Sequence, residues 1–209
     1  ANTGEVISMV SLPDFNPNKP VTAAGVAGFN RATKGVYEMG STFKLFTSAM
    51  ALDTGRVGLA DRFDARKPIK ISRFTISDYH AKNKWLTVPE VVVHSSNIGA
   101  AKIALEIGTN TQKRYLKRLG LLSPARIELI EVGAPLSPDL WREINTMTIS
   151  YGHGIAVSPL QLSLGVGALV NGGVLLKATL LKLGKESKLG GIRVIKGKTS
   201  QVMRDLMRL

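Results

Sequence analysis

A serine and a lysine three positions apart, Ser41 and Lys44, are the residues of this sequence best suited to do chemistry together. A serine hydroxyl is a weak nucleophile at neutral pH and needs a base within hydrogen-bond reach. Three residues along an α-helix correspond to about 300° of rotation, so both side chains would share one face. A lysine is a useful base only when it is uncharged, which desolvation favours. The pair therefore offers a candidate nucleophile, Ser41, and a candidate general base, Lys44. Ser-x-x-Lys alone is a weak signal, and a solvated helix start capped by Ser41 would also explain it.

A second polar group, Ser95-Ser96-Asn97, follows further along the chain. If this loop is extended, the side chains of Ser95 and Asn97 point to the same side. A hydroxyl can relay a proton, and a carboxamide can hold both the lysine and an amide of a substrate. The group also suits the cap of a helix that begins near Ile98, and the two interpretations are compatible. Ser95 and Asn97 are therefore candidates for proton relay and substrate binding.

Hydrophobic spacing predicts the helices that would position these motifs. An apolar helical stripe opens near Gly40 and ends at Thr54-Gly55, where the glycine suits a helix C-terminus. A cap, a proline and a capping-box glutamine at 158–161 predict a helix that runs to Val170. Further helices are predicted over residues 89–93, 98–107, 111–119 (ending at Gly120) and 200–209.

Strand patterns are fewer. The β-branched run Glu5–Leu12 predicts a mostly buried strand. The strand is expected to end at Pro13–Asn18, whose proline, asparagine and aspartate residues favour a turn. Residues 56–85 are expected to be irregular, apart from a minor hairpin over Lys70–Ile76. Lys198-Thr199-Ser200 precedes the last helix, so we interpret its hydroxyl residues as helix caps. No repeat or linker divides the chain, which predicts one domain.

The composition excludes several classes of protein. With 44% apolar and 21% charged residues, the 209-residue chain is globular and is neither disordered nor a membrane span. The net charge of +13 comes from basic residues spread along the chain, without aromatic-interleaved strands. We therefore expect a domain facing anionic polymers or phospholipid headgroups and no nucleic-acid partner. Zero cysteines and three scattered histidines predict no metal, and we expect no cofactor. The first residues carry no signal-peptide pattern.

Taken together, the motifs resemble class B penicillin-binding proteins. Residues 31–44 are similar to the nucleophile segment of that family, and residues 4–10 to the strand that opens its transpeptidase domain. Residues 86–99 resemble its second motif, and residues 150–162 its glycine turn and following helix. The resemblance covers nearly the whole chain in the expected order, and is strongest to the cell-division type, penicillin-binding protein 3.

The resemblance implies an α+β, penicillin-binding/serine β-lactamase-like transpeptidase fold, with a helix-rich part and an incomplete antiparallel sheet. Ser41 would be acylated by the D-Ala-D-Ala bond of a stem peptide, with Lys44 as base and with Ser95 and Asn97 in proton relay and substrate binding. D-Ala would leave, and a neighbouring amine would take the acyl group during septum synthesis. β-Lactams would acylate Ser41 as dead-end mimics.

The same resemblance implies partners and a location. These are peptidoglycan stem peptides and their lipid-linked precursor, β-lactam antibiotics and cell-division proteins. The family lies on the periplasmic side of the inner membrane, anchored by an N-terminal helix that this sequence lacks.

Two departures from the family pattern stand out. Met39 occupies a position that is often proline, and the sequence contains no Lys-Thr-Gly. Residues 1–209 are therefore expected to be a partial transpeptidase domain that lacks the C-terminal Lys-Thr-Gly strand. Loss of one oxyanion donor alone costs about 10²–10³ in rate. Whether the chain acylates without that strand is left open.

Other functions use the same motifs. A serine β-lactamase or a penicillin sensor would also carry them, and the former needs a carboxylate that activates a deacylating water. Glu143 is the carboxylate considered for that role, although nothing in its surroundings marks it. A non-catalytic scaffold is the third alternative.

Overall fold

The structure is a computed structural model that describes residues 1–184 and 190–209. Its helices are α1 (Phe43–Thr54), α2 (Val88–Val93), α3 (Asn97–Ile107), α4 (Thr109–Arg118), α5 (Glu143–Ile149), α6 (Pro159–Val170) and α7 (Gly197–Leu206), with short 3₁₀ turns at Pro20–Ala23 and Gly40–Thr42. Its strands are β1 (Arg62–Asp64), β2 (Ile69–Ile71), β3 (Phe74–Ile76), β4 (Trp85–Thr87), β5 (Val174–Leu176) and β6 (Gly191–Arg193). None of these helices has the length and apolarity needed to cross a membrane.

Helix α1 lies at the centre of the hydrophobic core. It contacts α2, α3, α4, α6 and α7, and most of its side chains are buried, as expected for a helix that is apolar on nearly every side. The rings of Phe43 and Phe46 meet edge to face at 5.3 Å between centroids. Gly165 of α6 lies so close to Phe46 that an added Cβ would be 3.0 Å from its ring. The helix that carries Lys44 is therefore held rigidly from several directions.

The helices predicted from capping patterns are confirmed. α1 ends at Gly55, which has φ of 72°, and α6 begins with the capping box formed by Ser158 and Gln161. Helices α2, α3 and α4 begin and end within two residues of their predicted limits. Local capping residues are sufficient to define these boundaries because they satisfy backbone groups within the same turn.

The last helix begins earlier than predicted. α7 starts at Gly197 with Lys196 before it and no side-chain cap, so the predicted capping role of Thr199 and Ser200 is wrong. Both hydroxyls bind distant segments instead: Thr199 Oγ1 donates to Asp53 Oδ1 at 2.7 Å, and Ser200 Oγ accepts from the Gly172 N–H at 2.9 Å. Residues 198–200 are all helical. The prediction that Lys198-Thr199-Ser200 is not a strand motif is therefore confirmed.

The strands form three antiparallel pairs, β1 with β4, β2 with β3, and β5 with β6. The β2–β3 pair is the predicted minor hairpin, which is confirmed. Helices α2 and α3 pack against the β1–β4 pair, and α6 packs against the β5–β6 pair. The α+β class is therefore also confirmed, and the antiparallel strands of the described residues form separate pairs.

The predicted buried strand over residues 5–12 is wrong. Glu5 makes an isolated parallel bridge with Thr179, and no further residue of this run forms a bridge in the described part of the chain. Ile7 and Val10 are 91% and 71% exposed. A β-branched run becomes a buried strand only where a neighbouring strand and a covering layer are present, and neither accompanies these residues here.

Candidate active site

Ser41 lies in the 3₁₀ turn Gly40–Thr42, directly before α1. Its side chain is exposed, and within the described residues its backbone N–H donates to no acceptor. The turn is backed by Gly152, where an added Cβ would lie 2.2 Å from the Gly40 carbonyl oxygen. Gly152 also has φ of 85°, a left-handed conformation that glycine adopts without strain. A glycine turn therefore supports the nucleophile from behind and leaves its N–H available to an oxyanion.

Lys44 lies on the first turn of α1 and is 3% exposed. Its Nζ is 2.9 Å from Ser41 Oγ, as the helical spacing predicted. The charged amine donates two further hydrogen bonds to Ser95, at 2.8 Å to the carbonyl oxygen and 2.9 Å to Oγ. All three protons of the ammonium are thus used, and after losing one the nitrogen can accept from a hydroxyl.

Burial lowers the pKa of Lys44 to about 8, and the negative charge of Asp78 opposes this shift. An ordinary lysine would be almost entirely charged at neutral pH, whereas a pKa near 8 leaves roughly a tenth of the amine neutral at pH 7. Lys44 can therefore serve as a base near neutral pH, which is the role predicted for it.

Ser95 completes a triangle with Ser41 and Lys44. Its hydroxyl donates to Ser41 Oγ at 3.0 Å. The backbone of Ser95 is left-handed, with φ of 53°, so the expectation of an extended loop is wrong. This conformation turns both the carbonyl and the hydroxyl of Ser95 toward the Lys44 amine. A left-handed serine costs about 1–3 kcal/mol, so the surrounding structure must hold it.

Asn97 is less directly engaged than predicted. Its Nδ2 donates to the Ser77 carbonyl at 3.0 Å, while the hydrogen bonds of Lys44 go to the two serines. The expectation that this carboxamide holds the lysine is therefore not met by the geometry. The capping role of the group is confirmed, because Ser96 caps α3 and its Oγ accepts from the Gly99 N–H at 2.9 Å.

Sequence reasoning missed the clamp between Glu38 and the glycine turn. Glu38 Oε1 accepts from the Gly154 N–H at 2.7 Å, and Oε2 lies 3.1 Å from His153 Nδ1. The Gly154 N–H is the main cause that lowers the pKa of Glu38, and His153 adds to it. Thr47 Oγ1 joins the same segment to α1 by donating to the Ser150 carbonyl at 2.9 Å. Both segments carried the family resemblance, but only their contact shows that one fixes the other.

In the described residues, the site contains neither the carboxylate that a β-lactamase would need nor a cluster of metal ligands. Glu143 is exposed at the start of α5, and in the part of the chain that the structure covers it forms no hydrogen bond with the site. No three metal-ligating side chains gather among the described residues.

A buried lysine bound to two serine hydroxyls at the start of a central helix is the arrangement that an active site of the acylating-serine type needs. The model of one family matches the chain over residues 1–209 and is described as the penicillin binding protein transpeptidase domain. The chain therefore belongs to the penicillin-binding protein transpeptidase family, which confirms the resemblance found in its motifs.

Curated relatives agree with this assignment. The chain is 44% identical over 207 residues to the probable peptidoglycan D,D-transpeptidase FtsI of Caulobacter vibrioides, which covers 99% of this chain and 35% of that protein. It is 33% identical over 209 residues to the probable peptidoglycan D,D-transpeptidase PenA of Neisseria flavescens, covering 99% and 51%. The chain thus spans about a third to a half of the length of these relatives.

Solved structures show the same fold. A peptidoglycan glycosyltransferase from Burkholderia ambifaria matches with a TM-score of 0.86 and 29% identity, over 98% of this chain and 61% of that chain. The TP domain of penicillin-binding protein 3 from Burkholderia pseudomallei matches with a TM-score of 0.85 and 30% identity, over 98% and 58%. The predicted transpeptidase fold is therefore confirmed.

Proposed function

We propose that this chain is the nucleophile-bearing part of a peptidoglycan D,D-transpeptidase that forms an acyl-enzyme on Ser41. The observation that carries the proposal is the triangle of Ser41 Oγ, Lys44 Nζ and Ser95 Oγ, with separations of 2.9–3.0 Å. The curated relatives that match the chain are named as probable peptidoglycan D,D-transpeptidases, which supports the same activity.

The proposed reaction begins when neutral Lys44 accepts the proton of Ser41. Ser41 Oγ then attacks the carbonyl carbon between the two D-Ala residues, and the Ser41 N–H donates to the resulting oxyanion. Ser95 passes its proton to the departing D-Ala amine as the C–N bond breaks and takes one from protonated Lys44, which leaves an ester on Ser41 and a neutral lysine. The amine of a second stem peptide attacks that ester and gives up a proton to Lys44. That proton passes to Ser41 Oγ as the ester C–O bond breaks, which restores Ser41. In this scheme Asn97 binds substrate through its carboxamide.

The proposal has two separable parts because the third family motif is absent from the sequence. Residues 1–209 are proposed to be part of a transpeptidase domain whose Lys-Thr-Gly strand would supply a further oxyanion donor. Acylation of Ser41 uses Lys44 and Ser95, which this chain contains. Turnover of stem peptides is proposed for a protein of the relatives' length. β-Lactams would acylate the same serine, because their strained amide mimics the scissile bond.

The cellular role is proposed from the relatives. Similarity to FtsI of Caulobacter vibrioides favours septum synthesis with cell-division partners, on the periplasmic side of the inner membrane. The basic character of the chain, +13 overall, suits work beside anionic polymers and headgroups.

The β-lactamase alternative is less favoured by the geometry. Rapid deacylation needs a carboxylate that holds a water at the acylated serine. Glu143 is exposed at the start of α5, and Glu38 binds the glycine turn. Neither carboxylate forms a hydrogen bond with Ser41 in the described residues, so a long-lived acyl-enzyme is expected.

Covalent labelling with a fluorescent penicillin, read by intact mass, tests the proposal. We expect one penicilloyl adduct on the 209-residue chain, none on Ser41→Ala, and an unchanged adduct on Ser163→Ala, a matched control on α6 whose Oγ donates to Pro159. An adduct that persists in Ser41→Ala would refute the assigned nucleophile. Absence of an adduct from both the folded chain and a version extended at its C-terminus would refute the transpeptidase assignment.

A further inference from the structure

Asp78, a residue just beyond β3, binds the second motif with both carboxylate oxygens. Oδ2 accepts from Ser96 Oγ at 2.7 Å, and Oδ1 accepts from the Ile98 N–H at 2.9 Å. The neighbouring Ser77 carbonyl accepts from Asn97 Nδ2 at 3.0 Å. Three successive residues, 96–98, are therefore tied to a segment that lies outside the predicted motifs. Asp78 itself is half-buried, so these bonds are partly shielded from water.

These bonds act on the residue immediately before them. Ser95 adopts its left-handed backbone at the junction between α2 and α3, a conformation that most residues avoid. In that conformation its carbonyl and its hydroxyl both accept from the Lys44 amine. Asp78 fixes the start of α3 on the far side of Ser95, while the Ser96 N–H donates to the Val91 carbonyl at 3.0 Å on the near side. The junction is thus held from both sides.

The carboxylate also acts on Lys44 through its charge, since Asp78 raises the pKa of that amine against the effect of burial. Three other charged residues, on α1 and on the helices packed against it, bind partners away from Lys44. Asp53 lies at the opposite end of α1 and binds Tyr115 and Thr199. Glu90 of α2 binds Lys84 and Thr87, and Lys102 of α3 donates to the Asp64 carbonyl.

We propose that Asp78 is a positioning residue of this site, which holds the Ser95 junction against Lys44 and places a negative charge near the amine. It touches neither substrate nor the reacting atoms, and it acts through Ser96 and Ile98. The inference rests on the proposed function, because its importance for acylation assumes that Ser41 is the nucleophile. A carboxylate outside the serine–lysine and Ser-Ser-Asn motifs then shapes the site and opposes the effect of burial on the Lys44 amine.

Two substitutions separate the hydrogen bonds from the charge. Asp78→Asn can still accept from the Ile98 N–H and meet Ser96, but it carries no charge. Asp78→Ala loses both. We expect Asp78→Ala to slow acylation by a penicillin at least about 100-fold, as for a displaced catalytic group. Asp78→Asn should recover most of that loss, while the midpoint of its pH–rate profile moves to lower pH. Asp64→Asn is the control and should match the wild type in acylation, because this carboxylate at the end of β1 pairs with Arg66 at 2.9 Å and forms no hydrogen bond with the site in the described residues.

Two measurements that do not involve acylation test the role of Asp78 independently of the proposed function. Hydrogen exchange at the Ile98 amide should accelerate in Asp78→Ala and stay close to wild type in Asp78→Asn. An NMR titration of Lys44 should give a lower pKa in Asp78→Asn. Wild-type exchange at Ile98 in Asp78→Ala would overturn the positioning role, and an unchanged Lys44 titration would overturn the role of the charge. Failure of the wild type to acylate would count against the proposed function alone.

Discussion

Burial of Lys44 affects the reactivity and the stability of the protein over different pH ranges. The amine is 3% exposed, and burial brings its pKa from 10.5 to about 8. Between about pH 8 and 10.5 the folded chain therefore binds fewer protons at this site than the unfolded chain. Folding stability contributed by this group rises with pH across that window, and the cost of burying the charge is largest below pH 8.

The rate of acylation of Ser41 should rise with pH through a midpoint near 8 and level off above it, because only neutral Lys44 accepts the proton. Lys44→Met should abolish acylation. It should also remove the gain in stability between pH 8 and 10, which chemical denaturation at both pH values would measure. Lys67→Met, at an exposed position, is the control and should retain both properties. A wild-type rate that is flat from pH 6 to 10 would contradict the assignment of Lys44 as the base.

At the scale of elements, the turn at 150–154 and the turn that carries Ser41 form one unit. Gly152 packs on the Gly40 backbone, Glu38 binds the far end of the glycine turn, and Thr47 binds its start. No single one of these contacts touches the reacting atoms. Together they fix where α1 begins, and therefore where the Ser41 hydroxyl points.

Gly152→Ala should impair acylation more than folding. Its Cβ would meet the Gly40 carbonyl oxygen at 2.2 Å, so the nucleophile turn must shift, and a displacement of about 1 Å can cost about 100-fold in rate. Gly55→Ala is the matched control, since its φ of 72° is also left-handed but nothing lies within 4 Å of an added Cβ. Each substitution should cost about 1 kcal/mol of backbone strain, measured by denaturation. Equal acylation rates in the two variants would contradict the role given to the glycine turn.

At the scale of the whole molecule, Asp53 joins segments that are far apart in sequence. This buried carboxylate on α1 accepts from Tyr115 of α4 at 2.7 Å and from Thr199 of α7 at 2.7 Å. The Lys196 N–H donates to it at 2.7 Å as well. Burial and the hydrogen bond to Asp53 raise the pKa of Tyr115 to about 12, so the phenol stays a donor. One side chain thus ties the last helix to the central one.

Asp53→Ala should lower the free energy of unfolding by about 2–4 kcal/mol, because it leaves three donors without their acceptor in a buried place. Asp205→Ala on the exposed side of α7 should change it by about 0.5 kcal/mol or less. Urea denaturation of both variants measures the difference. A loss no larger than that of Asp205→Ala would show that α7 is held by its apolar face alone.

The sequence alone determined the features of the backbone that depend on residues close together in the chain. The spacing of Ser41 and Lys44, the caps at Ser158 and Gly55, and the break at 95–97 all follow from helix geometry within one or two turns. Such features are predictable because the interacting atoms are a few residues apart, whatever the rest of the chain does.

Only the tertiary structure decided the contacts between distant segments. The left-handed backbone of Ser95, the hold of Asp78 on Ile98 and the lack of strand pairing over 6–12 within the described residues depend on which segments pack together. Family resemblance placed Asn97 in the site, but its hydrogen bond to Ser77 depends on the segment after β3 lying against the start of α3. Periodicity and capping report the local backbone, whereas the shape of this site is fixed by burial and by hydrogen bonds that span tens of residues.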